Sequence, residues 1–285
     1  MPSETPKGAL AASRCVVVTD LDGSLLDQRT YSAEASRPAV RRLVRLGIPL
    51  VLCSSKTAAE IRRLWEKLEL RDPFIVENGG AILIPPDYFS PPPGVDSGEG
   101  WRTVRLGKDI GELKEALAAA ARHCRARVRS FGTMTLAEIA ALTGLSVQES
   151  KRAAARFYDE PFIVDRGEEN CVVRFLKARK FTVTRGDRFY HLAGGSDKGK
   201  ATKALVGLYR AVKPDVYTIG IGNSANDLPL LASVDLPVLV RNPDGSWDRE
   251  VERQIPAILK SAGIGPAGWR EVVEKILAER IAAES

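Results

Sequence analysis

Between residues 15 and 84, short apolar runs alternate with amphipathic stretches, and this alternation constrains the fold more than any other feature of the chain. Segments 16–19, 48–53, 74–76 and 81–84 read as strands, and 38–46 and 58–68 as helices. The second helix opens on Thr57 with Glu60 three residues on, a capping box in which each side chain serves the other residue's backbone N–H. Strands alternating with helices imply parallel βαβ units, because parallel neighbours need a crossover. Val16-Val17-Val18 is apolar without alternation, as a strand buried on both faces should be.

The texture changes at Pro85. The run Pro85-Pro86-Asp87-Tyr88-Phe89-Ser90-Pro91-Pro92-Pro93-Gly94 cannot hold regular structure. Beyond it come a helix from Asp109 to residue 125 and short helices after Thr135 and Ser146, each with Glu three residues on. Strands follow near 162–164, 171–175 and 181–184, and segment 189–192 leads back to the lysine-bearing segment. The closing part reads as helix 198–211, strand 216–221, short helix 228–233, strand 238–240 and terminal helix 269–283. The expectation is an α/β fold: a Rossmann-like parallel-sheet core, residues 14–85 and 193–285, interrupted by an inserted α/β unit at 86–192. Residues 1–13 are expected to be a frayed polar tail without a hydrophobic signal core, which points to a cytoplasmic protein.

Composition excludes several classes. A chain of 285 residues, 44% hydrophobic and 27% charged, has ample core to fold without staples. No apolar run approaches the roughly 20 residues that span a bilayer, so no membrane partner is expected. The net charge of +6 and pI near 9.2 bring nucleic acid to mind. However, the basic residues interleave with Glu along helices, as in Arg62-Arg63-Leu64-Trp65-Glu66-Lys67, and no basic run carries aromatics for base stacking. No nucleic acid is expected, and the modest positive field favours a polyanionic small molecule. Cys15, Cys53, Cys124 and Cys171 are scattered without Cys-x-x-Cys spacing. Cys15, Cys53 and Cys171 lie in apolar strand-like runs and read as buried thiols.

Chemistry concentrates in four segments. Asp20-Leu21-Asp22-Gly23-Ser24 follows the first apolar run and sets two carboxylates one residue apart at a strand end. Asp-Gly alone is an ordinary turn dipeptide, but phosphoryl transfer through an aspartyl-phosphate needs this pair: one carboxylate to attack phosphorus, one to shuttle a proton. Val51-Leu52-Cys53-Ser54-Ser55-Lys56-Thr57 is a strand ending in hydroxyls. Gly195-Ser196-Asp197-Lys198-Gly199-Lys200 puts a lysine at a helix start, with Ser196 the expected N-cap. Thr218-Ile219-Gly220-Ile221-Gly222-Asn223-Ser224-Ala225-Asn226-Asp227 runs from a strand into an Asn/Asp-rich loop. This ordered set resembles the haloacid dehalogenase-like hydrolase superfamily, and over residues 14–285 the chain is similar to its mannosyl-3-phosphoglycerate phosphatase family.

The resemblance implies a role for each matching position. Asp20 would be the nucleophile and Asp22 the general acid and base. Ser54 would hydrogen-bond a phosphoryl oxygen, with Ser55 and Lys56 close to the substrate. Lys198 would neutralise phosphoryl oxygens and Asp20, while Lys200 points to solvent. Mg²⁺ would be held by Asp20, the main-chain carbonyl of Asp22, and the loop from Asn223 to Asp227. The family usually carries Gly-Asp-x-x-Asn-Asp where this chain has Gly222-Asn223-Ser224-Ala225-Asn226-Asp227, so one negative charge is lost, and weaker Mg²⁺ affinity or a larger share for Asp227 is implied. Asn226 would orient Lys198 or a metal-bound water. Asn78 and Gly79 of Glu77-Asn78-Gly79-Gly80, itself a hairpin signal, would contact the glycerate or sugar. In the expected hairpin tip Arg185-Gly186-Asp187-Arg188-Phe189-Tyr190-His191, Arg188 would pair with the substrate carboxylate, and His191 or Tyr190 would bond the sugar.

The expected activity is Mg²⁺-dependent hydrolysis of mannosyl-3-phosphoglycerate to mannosylglycerate, which the resemblance connects with compatible-solute synthesis. The insert would be the family's cap, and the protein a monomer or homodimer. Alternatives are the same chemistry on glucosyl-3-phosphoglycerate, sucrose phosphate or trehalose phosphate, a phosphomutase, or a pseudo-phosphatase inactivated at Asn223.

Overall fold

A computed structural model describes residues 15–91, 93–96, 98–186 and 188–284. The expected tail, 1–13, and Asp187 of the hairpin tip lie outside them. Strand β1 (Cys15–Thr19) is buried throughout and pairs in parallel with β2 (Leu50–Cys53) on one side and β11 (Tyr217–Gly222) on the other. Parallel pairing continues to β3 (Phe74–Val76) past β2, and to β12 (Leu236–Arg241) and β13 (Leu259–Ile264) past β11. Past β3 the sheet turns antiparallel through β4 (Ala81–Ile84), β6 (Arg102–Arg105) and β5 (Val95–Asp96), giving nine strands.

Alternate side chains of β1 feed opposite layers, as strand geometry requires. Val17 joins the layer packed by helices α1 (Arg37–Arg45), α2 (Ala58–Lys67) and α10 (Gly265–Glu284). Val16 and Val18 join the layer packed by α7 (Lys198–Val212), α8 (Leu228–Leu231) and α9 (Arg249–Gln254). The parallel arrangement puts the C-terminal ends of β1, β2 and β11 at one edge of the sheet, where α/β folds bind ligands.

A second, four-stranded antiparallel sheet is ordered β7 (Arg127–Ser130), β8 (Asp159–Arg166), β10 (Tyr190–Ala193), β9 (Thr182–Arg185). Helices α3 (Ile110–His123) and α6 (Glu169–Ala178) bury Leu113, Leu117, Val172 and Leu176 with its strands. Helices α4 (Leu136–Thr143) and α5 (Val147–Ala154) form a separate small cluster around Phe131 and Ile139. Both open on the expected capping boxes, Thr135 with Glu138 and Ser146 with Glu149, as α2 does on Thr57 with Glu60.

Four expectations are corrected. The insert does not begin at 86: β5 and β6 extend the first sheet, so the second body starts after residue 106. The Pro-rich run instead crosses the core surface and buries Tyr88 and Phe89 against Tyr209. Segment 171–175 is part of helix α6 rather than a strand, because Val172 and Leu176 repeat at helical spacing and are buried together. Cys171 is not a free buried thiol; it forms a disulfide with Cys124, joining the end of α3 to α6, whereas Cys15 and Cys53 are buried thiols as expected. The N-cap of α7 is Asp197, whose carboxylate accepts from the Lys200 N–H at 2.8 Å, and the Ser196 hydroxyl is buried without a partner. Among the described residues, no helix is long and apolar enough to cross a membrane.

Candidate active site

Strand β1 hands Asp20 directly to the sheet edge, its N–H bonded to the Ile221 carbonyl at 2.8 Å. The chain then turns sharply through Gly23, whose φ of +81° favours glycine. Lys198, the first residue of α7, is buried and reaches both carboxylates: Nζ lies 2.7 Å from Asp20 Oδ1 and 2.6 Å from Asp227 Oδ1. Burial alone would lower its pKa, but Asp20 and then Asp227 raise it above the ordinary lysine value, so the ammonium stays charged. For Asp20, burial and then the Asp227 carboxylate push the pKa up to about 7 against the pull of Lys198. An ammonium shared by two carboxylates thus sits where three strands end.

Asp22 Oδ2 is 2.6 Å from Lys56 Nζ, while its Oδ1 is buried without a hydrogen-bond partner. Ser54 is buried at the end of β2, its hydroxyl accepting from the Lys56 N–H at 3.2 Å. The four sequence segments therefore converge on one point. Asp227, expected as a metal ligand, uses both its oxygens within the protein. Oδ1 takes Lys198, and Oδ2 accepts from the N–H groups of Asn223 and Ser224 at 3.0 and 3.2 Å. It is a brace for the lysine and the loop.

Asn223 packs its amide on Gly23, where a Cβ would come within 2.6 Å of Nδ2. Its Oδ1 accepts from Ser24 Oγ at 3.3 Å, and its Nδ2 donates to Asn242 Oδ1 at 2.8 Å. Asn242 Nδ2 in turn donates to the Asn223 carbonyl at 3.1 Å. Among the described residues, no three His, Cys, Asp or Glu side chains converge as a metal cage. The donors at hand are all oxygen: the Asp20 carboxylate, the Asp22 main-chain carbonyl and its unpartnered buried side-chain Oδ1, and Asn223 Oδ1. That sparse oxygen set fits Mg²⁺, which takes one or two carboxylates and leaves its other positions to water and substrate phosphate.

Beside the carboxylates a cleft of about 1260 Å³ opens between the two sheets' bodies. Ser55, Lys56, Arg188 and His191, the expected substrate contacts, line it, and so do Arg29, Arg63, Arg152 and Arg156, which sequence reading missed. Arg188 also donates to the Leu142 carbonyl at 2.7 Å. His191 Nδ1 lies 2.8 Å from Asp159 Oδ2, an oxygen that also accepts from Arg156 at 2.9 Å and Asn78 Nδ2 at 3.0 Å. Tyr190 stacks on Phe162 and bonds Glu169 at 2.7 Å, away from the cleft lining.

Asn78, Gly79 and Asn226 do not line the cleft. Asn78 joins the two bodies, and Asn226 Nδ2 donates to Asn78 Oδ1 at 3.4 Å. Gly79 (φ +90°) lies so close to α7 that a Cβ would sit 2.1 Å from the Asp197 carbonyl oxygen. Just before them, buried Glu77 accepts from the N–H groups of Phe157, Tyr158 and Asp159 at 3.0, 2.7 and 3.0 Å. Its one sequence signal was a carboxylate ahead of a hairpin turn.

A family model described as haloacid dehalogenase-like hydrolase matches residues 17–88. A Methanococcoides burtonii protein named glucosyl-3-phosphoglycerate/mannosyl-3-phosphoglycerate phosphatase is 37% identical over 265 residues, covering 92% of this chain and 97% of the relative. A Pyrococcus furiosus mannosyl-3-phosphoglycerate phosphatase is 37% identical over 228 residues, covering 79% and 90%. Among solved structures, a haloacid dehalogenase-like hydrolase from Bacteroides thetaiotaomicron superposes with a TM-score of 0.61 at 19% identity, over 92% of this chain and 98% of that one. At that identity the likeness concerns the fold alone.

Proposed function

Because this chain belongs to the mannosyl-3-phosphoglycerate phosphatase family of the haloacid dehalogenase-like hydrolases, we propose that it is a Mg²⁺-dependent phosphatase converting mannosyl-3-phosphoglycerate to mannosylglycerate and phosphate. The observation that carries the reading is the buried Lys198 ammonium held between Asp20 and Asp227 beside Asp22. In the proposed reaction Asp20 Oδ attacks phosphorus, the bond from phosphorus to the glycerate oxygen breaks, and Asp22 protonates that departing oxygen. Asp22, now ionised, takes a proton from water as the water attacks the aspartyl-phosphate and frees Asp20. Lys198 pulls Asp20 toward the ionised, nucleophilic form against burial and Asp227, and balances charge on the phosphoryl oxygens; Ser54 offers them a hydroxyl donor. Mg²⁺, held by Asp20, the Asp22 main chain and Asn223 Oδ1, would neutralise phosphoryl charge and draw the Asp20 carboxyl toward ionisation.

The arginine-lined cleft supports a substrate with a second anionic group besides phosphate, since guanidinium groups pair well with carboxylates. Glucosyl-3-phosphoglycerate is the second reading, supported by the double name of the Methanococcoides relative.

The test is phosphate release from mannosyl- and glucosyl-3-phosphoglycerate, sucrose 6-phosphate and trehalose 6-phosphate, each with Mg²⁺ and with EDTA. Metal-dependent preference for a glycosyl-phosphoglycerate is the expected result. Turnover on the other two alone would discard the substrate, and turnover by Asp20→Asn above a few per cent of wild type would discard the nucleophile.

A further inference from the structure

Among the described non-glycine residues that line the cleft, Tyr31 is the one with a positive φ, +53°. A bulky side chain in the left-handed region is unusual, and Gly or Asn would make the same turn without strain. The surrounding loop enforces it. Asp27 Oδ1 accepts from the Arg29 N–H, the Thr30 N–H and the Thr30 hydroxyl at 3.0, 2.8 and 2.9 Å. The Tyr31 N–H bonds the Asp27 carbonyl, and the Asp27 N–H bonds the Ser32 carbonyl, both at 2.9 Å. Core packing does not account for the ring, because Tyr31 is 47% exposed. Strain held in place by its surroundings at a cleft wall points to a ligand.

The position of the ring narrows the ligand. Lys56 Nζ sits 4.7 Å from the ring centroid and 2.6 Å from Asp22 Oδ2, so Tyr31 is one side chain removed from the proposed acid and base. In 3-phosphoglycerate the one free hydroxyl is on C2, next to the phosphorylated carbon. A glycosyl group there must lie immediately beside the site where Asp22 meets the departing oxygen. A sugar ring presents a face of C–H groups, which suits the negative face of an aromatic ring.

We propose that Tyr31 is a specificity-determining residue, its ring the surface on which the hexosyl group of the substrate stacks. The assignment rests on the glycosyl-phosphoglycerate reading of the site. Its measure is the ratio of kcat/KM for mannosyl-3-phosphoglycerate to that for sugar-free 3-phosphoglycerate, taken for wild type, Tyr31→Asn and Tyr31→Phe alongside thermal unfolding. Tyr31→Asn tolerates the left-handed backbone, so its Tm is expected to equal or exceed that of wild type while the ratio falls about tenfold. Tyr31→Phe keeps the ring and should hold the ratio within about twofold. A wild-type preference retained in Tyr31→Asn, or lost equally in Tyr31→Phe, overturns the stacking role. A lower Tm in Tyr31→Asn overturns it too, since the ring would then be packing. A wild type that does not prefer the glycosylated substrate instead sinks the reading of the site, and the assignment with it.

Discussion

Removing the Cys124–Cys171 disulfide by the double change Cys124→Ala/Cys171→Ala should destabilise the second body far more than the first. The bridge closes a loop of 47 residues that holds strands β7 and β8 and helices α4 and α5. The loop-entropy relation gives an entropy near 14 cal/mol/K for that length, or about 4 kcal/mol at 25 °C. The consequence for Tm depends on the cooperative unit. If all 285 residues unfold together, the unfolding entropy is roughly 600 cal/mol/K and Tm falls about 7 °C. If the second body unfolds by itself, its roughly 90 residues carry only about 190 cal/mol/K and that transition falls about 20 °C. Differential scanning calorimetry of wild type, reductant-treated wild type and the double variant distinguishes these cases by the number and position of transitions. A variant and a reduced wild type that both melt within about 2 °C of the oxidised protein would refute the reasoning, because the bridge would then constrain nothing in the unfolded chain.

Other outcomes follow from the buried charges. Lys198→Ala leaves the Asp20 and Asp227 carboxylates facing each other without a cation; urea unfolding at pH 8 should show a loss of about 3–5 kcal/mol, with turnover abolished. Burial and Asp227 raise Asp20 from 3.8 to about 7, so the metal-free native state keeps a proton that the unfolded chain has released. That contribution to stability is full below pH 3.8 and is lost as pH rises through 7. Asp20→Asn should therefore gain on wild type in EDTA as pH climbs from 4 to 8, and a constant difference in urea midpoint would contradict the shift. Asn223→Asp restores a negative donor, so Mg²⁺ titrations followed by thermal shift should give roughly tenfold tighter binding; an unchanged midpoint would remove this residue from the metal site.

Local signals carried the core because local physics determines it. Val16-Val17-Val18 is apolar on both sides and becomes a central strand, and each predicted Thr or Ser capping box forms with its Glu. Asp20, Asp22, Ser54 and Lys198 were legible because each sits where a strand ends or a helix begins. Strands β6 and β7 escaped because Arg-Thr-Val-Arg and Arg-Val-Arg-Ser place charged residues on faces that stay partly open, leaving little apolar pattern to read. The apolar run at 171–175 suggested a strand, yet burial against α3 decided for helix. The pairing of Cys124 with Cys171, the Asp159–His191–Arg156 cluster and the strained Tyr31 depend on contacts across the tertiary fold. No spacing along the chain announces them.

Residues Glu77, Asn78 and Gly79 carry an implication for engineering. Glu77 grips the segment entering β8, Asn78 spans from Asp159 to Asn226, and Gly79 abuts the backbone that presents Lys198. A chimaera that transplants only the inserted body onto a related core would leave three backbone amides and the Asp159 carboxylate to a foreign turn. Substrate range in this scaffold is therefore modular only if the graft includes this tripeptide, which belongs by sequence to the recipient and by contact to the donor.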